Sequence, residues 1–324
     1  MMSWTTMASR WLRLLFGLTP LAAIATAGTV AIVLAESSQA PVRGILSLPV
    51  PTLENLGPIE LAVAGLPPHE HLYARNLGLV THLDLASGAK QTFELQGIPN
   101  AIAGSPTGDL LALDATGRIQ VYSPEGLSRA VIHVGTKPRA LAMFGDGTII
   151  LAGISAGRLL HVFDSNGTWR RSFGELETED QAPNVLHSLV TDGTTAYLIR
   201  RGLEPTVRRF SANGEVLSAF SIETDAVALQ RRMSSSRGGL TTILGAAFDL
   251  THERLVLGFA GSSDMPTLEE FSPTGEHAVS HVVLRRDRGP VSSVDSVAIS
   301  SGAVFLAVTG AIYQLPRSGA VAMR

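Results

Sequence analysis

The sequence contains no cysteine. That excludes a disulfide framework, a thiolate nucleophile, Cys-ligated zinc and iron–sulfur clusters. It also excludes a lipid attached to a cysteine behind a signal peptide. Charge is sparse: 16% of the 324 residues are charged and the net charge is −3, so no strong field recruits nucleic acid or an acidic membrane surface. The chain lacks a Gly-x-Ser-x-Gly elbow, a Walker phosphate loop, a dinucleotide fingerprint and a His-Glu-x-x-His pair. A catalytic set drawn from distant loops would leave none of these marks. The sequence does have a 45% hydrophobic content, enough for a large core, with 32 Gly and 17 Pro spread along its length. That distribution fits many short strands joined by many turns.

One short phrase recurs: an apolar or aromatic residue, two to four residues favouring a turn, then Gly. Examples are Tyr122-Ser123-Pro124-Glu125-Gly126, Phe163-Asp164-Ser165-Asn166-Gly167 and Phe210-Ser211-Ala212-Asn213-Gly214. Each reads as a strand end entering a tight turn in which Gly supplies positive φ. The marker glycines fall at 88, 126, 167, 214, 275 and 319, at intervals of 38, 41, 47, 61 and 44 residues. Pro58, Pro99, Pro138, Pro183 and Pro290 precede the first strands of five of the units, in phase with the glycines. Residues 101–134 hold four strand-like runs between three turns, the content of one propeller blade. The expectation is all-β: a six-bladed β-propeller of four-stranded antiparallel blades over residues 58–324, with small apolar inner strands. Closure has two solutions. The last unit supplies all four strands down to Ala320–Met323, or Arg43–Leu48 adds an outer strand. The long interval contains an Arg- and Ser-rich insertion, 223–242, read as a flexible cationic loop: a docking element, a lid or a tolerated insertion.

Arg10 and Arg13 precede 22 uncharged residues, Leu14–Ala35. This length suits a bilayer-crossing helix with its basic flank in the cytoplasm. Residues 1–40 are read as a signal-anchor helix or as a signal peptide cut after Ser38-Gln39-Ala40. Either exports the rest to the periplasm or exterior, and an uncleaved helix keeps it at the membrane. Residues 41–57 form a connector able to lend one strand.

The order Pro, apolar strand, Gly-containing turn, apolar strand, Gly-Arg, aromatic-x-x-x-Gly in 99–134 and 138–173 resembles the NHL-like group of six-bladed propellers. The resemblance implies a binding or scaffolding module, with lyases and lactonases as a minority. The group's Asp near the end of the second strand has a counterpart in Asp114. Gly153, Arg200 and Thr309 stand at the equivalent places elsewhere, a departure from the pattern.

Propeller ligands meet the channel mouth, where second-to-third-strand loops and inter-blade loops converge. The first set offers Arg75, Asn76, Asp114, Ser155, Arg201 and Asp264; the second offers Asn100, Lys137, Arg139 and Asn184. Such a rim suits an anionic or sugar-like ligand held by charge-assisted hydrogen bonds. The expected partner is a protein, peptide or glycan, with no nucleic acid, cofactor, assigned metal or catalytic residue. The alternative is a hydrolase or lyase at the mouth, with or without a divalent cation; for it His187, on a first strand, is the best lone acid–base candidate. His69-Glu70-His71 is the one metal-like spacing; it lacks an evident third ligand, and an exposed loop explains it better.

Overall fold

The computed structural model describes residues 59–135, 138–181, 186–202, 204–234, 243–260, 266–285 and 289–316, together with the backbone of 42–49. The expected leader in 1–40 lies outside the described residues. Among those described, no helix is long and apolar enough to cross a membrane.

The first strand, β1 (Val42–Pro49), precedes the blades. Blade 1 is β2 (Glu60–Ala64), β3 (His71–Asn76), β4 (Leu79–Asp84) and β5 (Lys90–Glu94). Blade 2 is β6 (Ala101–Gly104), β7 (Leu110–Leu113), β8 (Arg118–Tyr122) and β9 (Ser128–His133). Blade 3 is β10 (Ala140–Met143), β11 (Ile149–Ser155), β12 (Arg158–Phe163) and β13 (Trp169–Glu175). Blade 4 is β14 (Leu186–Thr191), β15 (Thr195–Arg201), β16 (Thr206–Ser211) and β17 (Val216–Ser221). Blade 5 is β18 (Ile243–Asp249), β19 (Arg254–Phe259), β20 (Leu268–Phe271) and β21 (His277–Arg285), with a short β22 (Gly289–Pro290) on its edge. Blade 6 contributes β23 (Ser296–Ile299), β24 (Ala303–Val308) and β25 (Ala311–Pro316). Within each blade, successive strands pair antiparallel.

The six blades form a closed ring. Each inner strand lies beside the inner strands of both neighbouring blades, and β2 meets β23 across the seam. Buried apolar side chains fall into six clusters among the described residues, one at each blade-to-blade interface. Ile59, Leu72 and Ala74 of blade 1, for instance, pack on Ala298, Phe305 and Ile312 of blade 6. A blade is covered on both faces, so its strands read as near-continuous apolar runs: all four residues of β7 are buried.

Blades 5 and 6 are linked by β1. It runs parallel to β21 from Val42↔Ser280 to Ser47↔Arg285, then turns antiparallel to β25 at Leu48↔Gln314 and Pro49↔Tyr313. The outer strand expected at Arg43–Leu48 is therefore present. One strand from the start of the chain ties blade 5 to blade 6, and Ala320–Met323 lie outside the described residues.

The marker glycines have two duties. Gly126, Gly167, Gly214 and Gly275 all adopt φ between +79° and +95°, as their turns demand. A Cβ at these positions would also strike the outer strand of the preceding blade: Phe93, Ile132, Phe173 and Phe220 respectively, at 2.1–2.7 Å. Each turn is thus the socket for its neighbour's side chain. Gly214→Ala combines left-handed strain with overpacking against Phe173, and is expected to cost about 2 kcal/mol in urea unfolding; an unchanged midpoint would show that the socket carries no energy.

The insertion is not the open loop its composition suggested. Asp225–Ser234 forms a helix, α1, whose Ala226 and Val227 are buried against Tyr197, Ile199 and Ile243. Arg231 pairs through both terminal nitrogens with Glu223, at 3.0 and 2.9 Å. The apolar residues among the charges dock the segment on the core between blades 4 and 5. Residues 235–242 lie outside the described residues.

Candidate functional site

The inner strands begin around a cavity of about 550 Å³ at one mouth of the channel. Their first residues line it, which is why the residue just before or at each strand start decides its chemistry. Arg75, Asn100, Arg139 and Arg201 all line this cavity. Arg75 and Arg201 arrive from the last turns of second strands β3 and β15; Asn100 and Arg139 arrive from inter-blade connectors. Both loop sets expected at a propeller mouth therefore contribute.

Three of the other expected rim residues, Asn76, Asp114 and Ser155, do not line this cavity. Asn76 and Ser155 end β3 and β11, pair in register with Leu79 and Arg158, and do not line the cavity. Asp114 is a turn organiser. Its Oδ1 accepts the Thr116 and Arg118 backbone N–H groups at 2.8 and 3.0 Å, and Oδ2 accepts Arg118 Nε at 3.0 Å. Burial acts to raise its pKa, but these donors and the Thr116 hydroxyl outweigh it and hold the carboxyl at about 2. The structure thus gives Asp114 a local role that explains it without a ligand. Asp264, Asn184 and Lys137 lie outside the described residues.

Two acidic groups at the site left no mark in the sequence. Glu60, one residue into β2, stands opposite Arg75 in register, and their side chains form an ion pair. Its Oε1 also accepts the Ile102 N–H at 3.3 Å. A third of the carboxylate side chain is exposed to the cavity, and the rest is enclosed by protein. This enclosure raises its pKa against the pull of Arg75 and Arg201. Arg75 is fixed further by donating to Pro99 O at 2.6 Å. The second, Asp180, sits in a 3-10 turn, Glu179–Gln181, between blades 3 and 4. It is fully buried, with Oδ2 accepting from Arg208 Nη2 at 2.7 Å and the Glu177 N–H at 3.0 Å, and Oδ1 lying 3.0 Å from His187 Nε2. His187 itself lines the cavity, as its place on a first strand suggested.

Arg201 differs from Arg75. Its Nη2 donates to Leu244 O at 2.5 Å. Among the described residues no carboxylate comes within 4 Å of it, and its Nε–H is buried without an acceptor. Burial depresses its pKa below the ordinary arginine value, although a guanidinium stays charged.

The metal-like trio is dispersed. Glu70 bonds Ser301 of blade 6, whereas His71 contacts His82, with Nδ1 and Nε2 3.0 Å apart, beneath Tyr73. Among the described residues no group of three His, Asp or Glu is placed to hold a metal ion.

Fold and site define a six-bladed β-propeller with an arginine-rich channel mouth. The chain matches no protein-family profile and no curated protein.

Proposed function

We propose that this propeller is a binding module, exported or membrane-tethered, that recognises a protein, peptide or glycan at its channel mouth. One observation carries the reading: Arg75 and Arg201, from blades 1 and 4, and Asn100 and Arg139, from two inter-blade connectors, converge on one cavity. Its volume falls within the range of small-ligand sites, roughly 300–1,000 Å³. The basic flank and long apolar run of residues 10–35 support export. The repeat order supports the NHL-like subgroup, whose members mostly bind or scaffold.

The test is chemical crosslinking of the full chain in its own host. Replacing Asn100 and Arg139 by Ala is expected to reduce recovery of the crosslinked partner at least about tenfold, the loss of two polar anchors. Asn76→Ala and Ser155→Ala, outside the cavity, leave it unchanged. Equal recovery from the double variant and the two controls rejects the mouth.

A second reading, a hydrolase or lyase with or without a divalent cation, draws on His187, which faces the cavity with Asp180 behind it. Asp180 is also held by Arg208, which fits a structural clamp better than a base. His187→Gln separates the two: binding survives under the first reading, and turnover is abolished under the second.

A further inference from the structure

We infer that the group taken by the channel is a single carboxylate on an apolar body, namely the C-terminal carboxylate of a peptide. This rests on the mouth being a binding site and adds the chemistry of what it binds.

The charge count comes first. Arg75 is neutralised within the protein by Glu60. Arg201 is not: no described carboxylate reaches ion-pair distance of it, and its Nε–H, like that of Arg75, lacks an acceptor. A partly buried cation that feels only the more distant Glu60, already paired with Arg75, gains from a further opposite charge beside it. A monoanion supplies it. A doubly charged group such as phosphate would meet Glu60 and Asp295, which line the same cavity. A planar carboxylate also matches the guanidinium fork in shape.

The surroundings select the body behind the charge. Leu61, Ile102, Leu141, Leu189 and Leu244 line the cavity. At the opening, Leu77 is 64% exposed and Leu186 41% exposed. Leu77 also holds φ +54°, a conformation costly for a residue with a Cβ. The turn therefore keeps an exposed leucine at the mouth despite local strain. Apolar walls alone would suit a fatty acid equally. Asn100 and Ser188 line the cavity too, and their amide and hydroxyl groups match peptide N–H and C=O, for which an alkyl chain has no counterpart.

The experiment titrates the full chain, by calorimetry, with acetyl-Ala-Val-Leu as the free acid, the same peptide as its C-terminal amide, and decanoate. The free acid is expected to bind roughly 10- to 100-fold more tightly than the amide, and more tightly than decanoate. Arg201→Met is expected to erase the acid-over-amide preference, and Arg201→Lys to keep part of it. Folding is checked by the unfolding temperature of ligand-free Arg201→Met, which should change little, because the substitution removes a partly buried charge with no ion-pair partner in exchange for one hydrogen bond, to Leu244 O.

Equal affinity for acid and amide overturns the inference. So does tighter binding of decanoate, no binding of any probe at millimolar concentration, or a preference that survives Arg201→Met. If acid and amide bind equally but Arg139→Ala weakens both, the carboxylate falls and the binding mouth stands. If Asn100→Ala and Arg139→Ala leave crosslinking of the partner intact, the mouth itself falls.

Discussion

Replacing Gly44 and Ile45 together with proline is expected to lower the unfolding temperature by roughly 10 °C. Along a strand, successive N–H groups point to opposite sides, so one of these two faces β21, which pairs with both residues at Val282 and Val283. Proline at both positions removes that donor and places rigid rings in the strand that pairs with both blade 5 and blade 6. The loss is set at about 3 kcal/mol, and in a domain of this size each kcal/mol moves the midpoint by roughly 2–4 °C. Calorimetry gives the midpoint. Amide hydrogen exchange gives the location: protection should fall in β21 and β25 before it falls in blades 2 and 3. A midpoint within 2 °C or so of wild type would mean that the six blade interfaces hold the ring shut without the strand.

Asp180→Asn is expected to cost about 3 kcal/mol, because it removes the charge that Arg208 and His187 enclose. The effect has a pH signature. Burial acts to raise the Asp180 pKa, but the hydrogen bond from His187, the Glu177 N–H and Arg208 together bring it down to about 2, from 3.8 when unfolded. The unfolded chain therefore takes up the proton first as acid is added. The stabilisation, roughly 2 kcal/mol, is fully present above the unfolded value and drains away as pH falls toward 2. About half of it is gone by pH 3. Urea unfolding of both proteins at pH 7, 5 and 3 should show their difference narrowing by about 1 kcal/mol over the last step. A constant difference would mean that the carboxylate's charge contributes nothing to the clamp.

The blades were legible because their signals are local. Leu110–Leu113 and Arg118–Tyr122 occupy the predicted strand positions, and Gly126 marks the turn it was expected to mark. What the turn reading could not show is why the residue must be Gly twice over, since Phe93 lies 33 residues earlier in another blade. The same limit hid Glu60. In Ile59-Glu60-Leu61 an acidic residue between apolar ones looks like the solvent side of an alternating strand. Only the register with β3 sets it against Arg75 inside a channel. Asp180 stands in a connector with no periodicity, and its partners come from β14 and β16. For the rim, the topology of loops was enough to find Arg75, Asn100, Arg139 and Arg201. It was not enough to separate them from Asn76, Asp114 and Ser155, because whether a loop residue turns into the cavity or into its own hairpin depends on side-chain hydrogen bonding. The insertion misled by its charge: two small apolar residues, Ala226 and Val227, outweigh the arginines around them.

A strand synthesised among the first fifty residues has to wait for partners near positions 280 and 314. Until then the growing polypeptide holds a row of unsatisfied main-chain groups at its leading end, and every later blade must assemble beside it. Pairing across more than 230 positions is slow compared with hairpin formation. During that interval the early segment is open to pairing with another nascent copy. Fastening an earlier strand to two made more than 230 positions later makes their pairing the step that commits the whole ring.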